Sequence, residues 1–376
     1  MATKDPIQSA LQAAVDDGTF PGAVLAARVG GVQVYEAAVG SLTYKSPGEP
    51  VTAQTCYDLA SLTKVLATTT ALVLLIQRGL VALEDRIDHL LKELHGSPIG
   101  AATVQQLLTH SSGLPGWRPY YERIAAEEAT CSGVWGCDAA RRAVLGYIVQ
   151  EDLVYERDSR SLYSDLGFML LGFAVERLAG ESLDRFCSSR IYGPLGAHPL
   201  AYLPRRQSAR AAAPLGPEYR IAPTEEDSWR GRTLCGEVHD ENAFALGGVA
   251  GHAGLFGSAR AVLAVAQAWT DGRRGKAGLL QPDLVTLFTT RQQKIPISSW
   301  ALGWDTPSGS SSSGTRFSPE SFGHLGYTGT SLWIDPVKEL EVVLLSNRVH
   351  PARRNEQIRA FRPLIHDLIC QELLRS

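Results

Sequence analysis

At 376 residues the chain is longer than one small core organises, and its 44% hydrophobic and 20% charged side chains exclude wholesale disorder. A formal net charge of −3 gives no electrostatic reason for nucleic acid or an anionic membrane as partner. The most apolar run, 65–76, falls short of the roughly 20 residues that a membrane span takes, and it contains Thr68, Thr69 and Thr70.

No apolar stretch follows Lys4, so no secretory signal is read and a cytoplasmic location is expected. Cys56, Cys131, Cys137, Cys187, Cys235 and Cys370 show no paired zinc spacing and in that setting read as reduced thiols. Cys131 and Cys137 would bridge a loop only if oxidised. The pairs Arg205-Arg206 and Arg353-Arg354 sit near prolines and read as solvated loops.

In chain order, Asp5-Pro6 followed by Ile7, Ala10, Leu11, Ala14 and Val15 predicts a capped amphipathic helix ending at Gly18. Residues 22–29 and 32–39 are β-rich, and the intervening Gly30-Gly31 tolerates the positive φ angles of a tight hairpin. The segment 61–78 is apolar almost all round and predicts a helix at the centre of the molecule. Helical patterns such as 103–108 and 164–178 then alternate with Gly/Pro turns. A polar, proline-bearing stretch, 204–232, reads as a surface excursion, and the Gly/Ser run 309–314 as a loop. Strand patterns return at 302–304, 330–334 and 341–346. The last helix, with Ile358, Phe361, Ile365, Leu368 and Ile369 on one side, is expected to cover a face of a sheet.

Strands at both ends and helices between them predict a discontinuous α+β architecture. Residues 1–57 and 240–376 are expected to build a sheet-containing lobe and 58–239 a mainly helical one. A ligand site belongs at the seam.

The sharpest chemical signal is Ser61-Leu62-Thr63-Lys64 at the head of the buried helix. Residues three apart share a helical face, so the lysine amine reaches the serine hydroxyl. A serine is a poor nucleophile until a neighbouring base takes its proton. The positive end of the helix favours negative charge near Ser61 and disfavours a protonated lysine. Such a string alone is weak, but a lysine inside a wholly apolar helix is costly without a role. Next comes Tyr163-Ser164-Asp165 before a helical run; a phenol titrates near pH 10 and acts as base at neutral pH only in a cationic field, which Lys64 would supply. The third is Gly323-His324-Leu325-Gly326-Tyr327, where flanking glycines let substrate approach the backbone. Taken singly, the second and third are as readily a packed tyrosine beside a helix cap and a structural histidine.

Together these three strings, in this order, resemble the penicillin-recognising serine hydrolases: class C β-lactamases, D-alanyl-D-alanine peptidases of the same fold and family VIII carboxylesterases. Similar stretches include 58–60, 107–114, 254–258 and Leu345-Ser346-Asn347-Arg348. The resemblance implies a β-lactamase/transpeptidase-like fold and an acyl-enzyme on Ser61, with Lys64 and Tyr163 relaying the proton. It implies an oxyanion held by the N–H groups of Ser61 and Tyr327, and His324, Gly326, Asp165 and Asn347 as substrate-contacting positions. The expected partner is a small ester or β-lactam-like molecule, with no cofactor and no metal. Nothing in the sequence bears on oligomeric state.

Two departures point toward esters. Asp165 stands where lactamases usually carry Asn; an ionised Asp accepts hydrogen bonds and cannot donate to a substrate carbonyl. Leu325 lacks the hydroxyl that would bind a β-lactam carboxylate, and His324 replaces a fixed positive charge with a titrating one. A β-lactamase or D-alanyl-D-alanine carboxypeptidase is the alternative. A non-catalytic relative is disfavoured because all three reactive groups are present. No Gly-x-Ser-x-Gly elbow or His-Glu-x-x-His occurs, and His239, Asp240, Glu241, Asn242 and His252, flanked by glycines, read as a loop near the pocket rather than as a metal site.

Overall fold

The computed structural model describes residues 5–45, 47–130, 133–136, 138–205, 215–216 and 218–374. Asp5 caps the first helix, Pro6–Asp16, by accepting from the N–H groups of Ile7 and Gln8. The hairpin forms as expected: β1 (Gly22–Val29) and β2 (Val32–Gly40) pair antiparallel around Gly30 and Gly31, whose φ angles are +62° and +83°.

The two ends of the chain meet in one sheet. With β3 (Phe322–Leu325), β4 (Ser331–Asp335) and β5 (Leu340–Ser346), the strand order is β2-β1-β5-β4-β3, every neighbour antiparallel. Alternate side chains leave opposite faces of a strand, and both faces are covered. Ala23, Leu25, Ala27, Val342 and Leu344 pack against the helices Pro6–Asp16 and Ile358–Leu373. Val24, Ala26, Val343 and Leu345 face the larger core, which takes in Ala259–Arg273 and the helices between.

The central helix is present but not uniformly wound. Lys64–Thr69 is π-helical and Thr70–Gln77 is α-helical. Thr70 Oγ1 donates to the Val65 carbonyl five residues back, and Thr68 Oγ1 donates to the Gly251 carbonyl, so threonine hydroxyls engage backbone in and beyond this turn. Such widened turns concentrate at functional sites.

Three expectations need correction. Residues 302–304 form a turn, not a strand: Gly303 has φ +83° and Ala301 N–H donates to the Trp304 carbonyl. An added Cβ at Gly303 would collide with Thr69 Oγ1, so the chain turns where it touches the central helix. The excursion 204–232 is not all surface: Ala222, Thr224 and Asp227 are buried, and Cys56 exchanges backbone hydrogen bonds with Arg220 and Ala222. Arg353, assigned to a solvated loop, is ion-paired with Glu225 and Glu241. Arg206, Cys131 and Cys137 lie outside the described residues, whereas Cys56, Cys187, Cys235 and Cys370 are free thiols. Among the described residues no helix is long and apolar enough to cross a membrane.

Candidate active site

The chain enters the site through a constrained turn. Ala60 has φ +46°, a left-handed conformation that a side chain disfavours. Buried Asp58 holds it: one carboxylate oxygen accepts from Ala60 N–H at 2.8 Å and the other from His239 N–H at 2.7 Å. Ser61 emerges at the end of this turn, on the wall of a cavity of about 640 Å³ that also receives Tyr163, Asp165, His324, Gly326 and Tyr327.

Lys64 is fully buried, and its ammonium lies against Ser61 Oγ at 3.0 Å, Asp165 Oδ1 at 2.6 Å and the His252 carbonyl at 3.1 Å, with the Tyr163 phenol as a further hydrogen-bond partner. Burial pulls the Lys64 pKa down, but the Asp165 carboxylate and the Tyr163 phenol more than offset it, and the net shift is upward. This corrects the expectation of a lysine biased toward its neutral form. Asp165 and Tyr163 together outweigh desolvation. Asp165, expected to face substrate, is therefore also the counter-ion of Lys64.

Tyr163 precedes the helix Asp165–Ala179, which Ser164 caps by accepting from Gly167 N–H. Its ring stacks on Trp300 (centroids 5.7 Å apart) and touches His110 (4.7 Å), with Lys64 Nζ 4.8 Å from the ring centre. Burial pushes the phenol above its ordinary pKa, against the opposing pull of the Lys64 ammonium and hydrogen bonds with Lys64 and Ser61. The cationic field is present, but it does not overcome burial.

On the opposite wall, β3 carries His324. Its Nδ1 lies 2.8 Å from the Leu325 carbonyl, so that nitrogen holds the proton and Nε2, which has no partner, presents a lone pair. Burial, then the nearby Lys64 charge, pulls its pKa down to about 3. His324 is thus neutral at ordinary pH, which corrects the expectation of a titrating cation. Beyond it, Thr328 Oγ1 donates to the Asp58 carbonyl (2.7 Å) and Thr330 Oγ1 to the Leu59 carbonyl (3.1 Å). These bonds tie the end of β3 to the segment just before Ser61. Among the described residues, the N–H groups of Ser61 and Tyr327 make no hydrogen bond and are free to serve a ligand.

Asn347 falls outside this set. It is buried, and its amide donates to the carbonyls of Leu42 and Pro223, both at 2.8 Å, so it clamps two loops and does not line the cavity. Its neighbour Arg348 lines the cavity instead. So do His252 and Asp240, hydrogen-bonded at 2.8 Å, and His239, which is hydrogen-bonded to Glu225. This stretch lies near the pocket as expected, whereas nothing in the sequence marks the His252 carbonyl as a lysine acceptor. It also missed Thr328, Thr330, Trp300 and the arginines; the run Tyr327-Thr328-Gly329-Thr330 held the one readable signal.

A serine hydroxyl bridged to a buried ammonium beside a phenol is an arrangement that can activate a nucleophile. The chain matches the Beta-lactamase family model over residues 7–365 and belongs to that family. It is 35% identical over 326 residues to a protein of Escherichia coli (strain K12) named "Putative D-alanyl-D-alanine carboxypeptidase", covering 83% of this chain and 73% of that one. The solved structure of "EstCE1, a hydrolase with promiscuous acyltransferase activity" superposes with a TM-score of 0.70 at 21% identity, over 95% of this chain and 97% of the other. The octameric penicillin-binding protein homologue from Pyrococcus abyssi gives 0.71 at 19% identity, over 97% and 76%. The fold is the β-lactamase/transpeptidase-like one, an antiparallel sheet with flanking helices.

Proposed function

We propose that the chain hydrolyses small acyl esters through an acyl-enzyme on Ser61. The observation that carries this reading is the 3.0 Å contact between Lys64 Nζ and Ser61 Oγ on the wall of the cavity. Lys64, held as a cation by Asp165, steadies negative charge on the serine oxygen. The base is then the Lys64/Tyr163 pair after loss of one proton, with the deficit on the phenol oxygen. Ser61 gives its proton to that oxygen as Oγ attacks the carbonyl carbon. The N–H groups of Ser61 and Tyr327 receive the oxyanion, and Tyr163 returns the proton to the departing alkoxide. Water, losing its proton to Tyr163, then attacks the acyl carbon; the adduct collapses with cleavage of the bond to Ser61 Oγ, and Tyr163 passes that proton to the departing serine oxygen.

Because Lys64 and Tyr163 are both shifted upward, little of the base form exists at neutral pH, and kcat/KM climbs toward alkaline pH. Esters fit the recognition positions. Asp165 can only accept and is engaged by Lys64; Leu325 offers no hydroxyl; His324 is uncharged. Ester cleavage requires no help from any of these. Incubation of wild type and Ser61→Ala with p-nitrophenyl butyrate tests the proposal, and equal rates for the two would end it. A second reading, D-alanyl peptide cleavage, is favoured by the name of the Escherichia coli relative. Release of D-alanine from a D-alanyl-D-alanine dipeptide faster than any ester is cleaved would put it first.

A further inference from the structure

Tyr163 can serve Ser61 only if its phenol is aimed, yet it stands in a stretch, 160–164, that is neither helix nor strand. His110 grips that stretch on both sides of the tyrosine. Its carbonyl accepts from Leu162 N–H at 2.8 Å, and its ring nitrogen Nδ1 accepts from Ser164 N–H at 3.1 Å. Its ring centroid lies 4.7 Å from that of Tyr163 and 4.4 Å from that of Trp300, which stacks on Tyr163 in turn. Tyr155 Oη donates to the same His110 carbonyl at 2.8 Å, so the grip is itself anchored.

Two local costs attend this arrangement. His110 has φ +55°, in the left-handed region that a residue with a Cβ disfavours. Because Nδ1 accepts, the neutral ring carries its proton on Nε2, and that N–H is buried with no partner among the described residues. An apolar residue would fill the same space without an orphaned donor, so packing alone does not account for a histidine here. Burial, then the Lys64 charge and His324, hold the His110 pKa well below its ordinary value, and Nδ1 keeps its lone pair for Ser164. We propose that His110 is the positioning residue of Tyr163: by holding Leu162 and Ser164 it aims the phenol at Ser61 and Lys64, and Nδ1 is the atom on which that aim depends. The consequence for turnover rests on the Ser61 reading of the reaction, while the placement of the phenol stands apart from it.

The test compares His110→Asn, whose side-chain oxygen replaces Nδ1 as acceptor for Ser164, with His110→Phe, which keeps the ring and loses the acceptor. In p-nitrophenyl butyrate hydrolysis the Phe protein is expected to lose about a hundredfold in kcat, the effect of a misplacement of about 1 Å, with KM little changed. The Asn protein is expected to keep most of the wild-type kcat. A residue that merely fills the core would give the reverse order, because Phe retains the volume and Asn leaves a cavity. Equal kcat in the two variants, a Phe protein more active than the Asn protein, or a loss carried by KM would overturn the proposal. Should the Phe protein not fold, His110→Leu takes its place, since it too lacks the acceptor. Should wild type cleave no ester, the Ser61 reading fails by itself, and crystal structures of the variants then decide the positioning alone. Tyr163 Oη is expected to withdraw from Lys64 Nζ in His110→Phe and to stay in His110→Asn; an unmoved phenol in the Phe protein would overturn the proposal.

Discussion

Gly326 is the position where one methyl group tests the geometry of the proposed oxyanion donors. It follows β3 and precedes Tyr327, with its N–H bonded to the Thr330 carbonyl at 2.7 Å and its own carbonyl held by Arg362 at 2.8 Å. A Cβ added there overlaps Thr330 Oγ1 outright and comes 2.7 Å from the Leu59 carbonyl. Thr330 Oγ1 is the group that bonds the Leu59 carbonyl, so the threonine cannot swing away without releasing the tie to the nucleophile turn. In Gly326→Ala the end of β3 must therefore move away from Ser61 and carry the Tyr327 N–H with it. Losing one preorganised donor costs about 2.7–4 kcal/mol of transition-state stabilisation, or about 10²–10³ in kcat. The assay is steady-state hydrolysis of p-nitrophenyl butyrate, with kcat expected to carry the loss and KM to change far less. Gly146→Ala is the control. It lies in the helix Asp138–Val149, nothing sits within 4 Å of the added Cβ, and the change should raise helix stability by about 1 kcal/mol without touching activity. A folded Gly326→Ala protein with kcat within twofold of wild type would show that the placement of the Tyr327 N–H does not govern turnover.

The carboxylate of Asp165 raises the pKa of both Lys64 and Tyr163, so Asp165→Asn should move the alkaline limb of the kcat/KM profile to lower pH; a limb that stays put or moves up contradicts the assignment. A stability prediction comes from Glu341, buried on β5 beneath the helix Ala259–Arg273. Burial, only partly opposed by Thr270 and Arg28, pushes its pKa to about 7. The folded state then holds a proton that the unfolded chain releases near pH 4.5, so stability falls as pH rises from about 4.5 through 7, by about 3 kcal/mol in all. Glu341→Gln should remove that dependence, measured as a smaller drop in Tm between pH 5 and pH 8; an unaltered drop would assign it elsewhere.

What the sequence made legible was whatever depends on near neighbours. The Asp5 cap, the Gly30-Gly31 turn and the Ser61/Lys64 spacing are each set within a few residues, and each appears in the fold. The strings around Tyr163 and His324 were visible too, because their glycines and caps are local. Asp165 as counter-ion of Lys64 was not, since the two stand 101 positions apart and only the packed fold joins them. The neutral state of His324 depends on burial beside Lys64, which no string of residues records. Asn347 and Arg348 show a finer limit. Adjacent residues point to opposite sides, and which of the two meets the cavity is fixed by how β5 ends, not by composition. Arg362 was hidden in a helix whose apolar spacing announced only that it covers a sheet.

The most direct test of the account is rapid quenching of the enzyme during turnover of p-nitrophenyl butyrate, followed by peptide mass spectrometry. A butyryl group is expected on the peptide containing Ser61 and on no other, and none in Ser61→Ala. Undiminished turnover in Ser61→Ala, or an acyl group carried by a different residue, would contradict it.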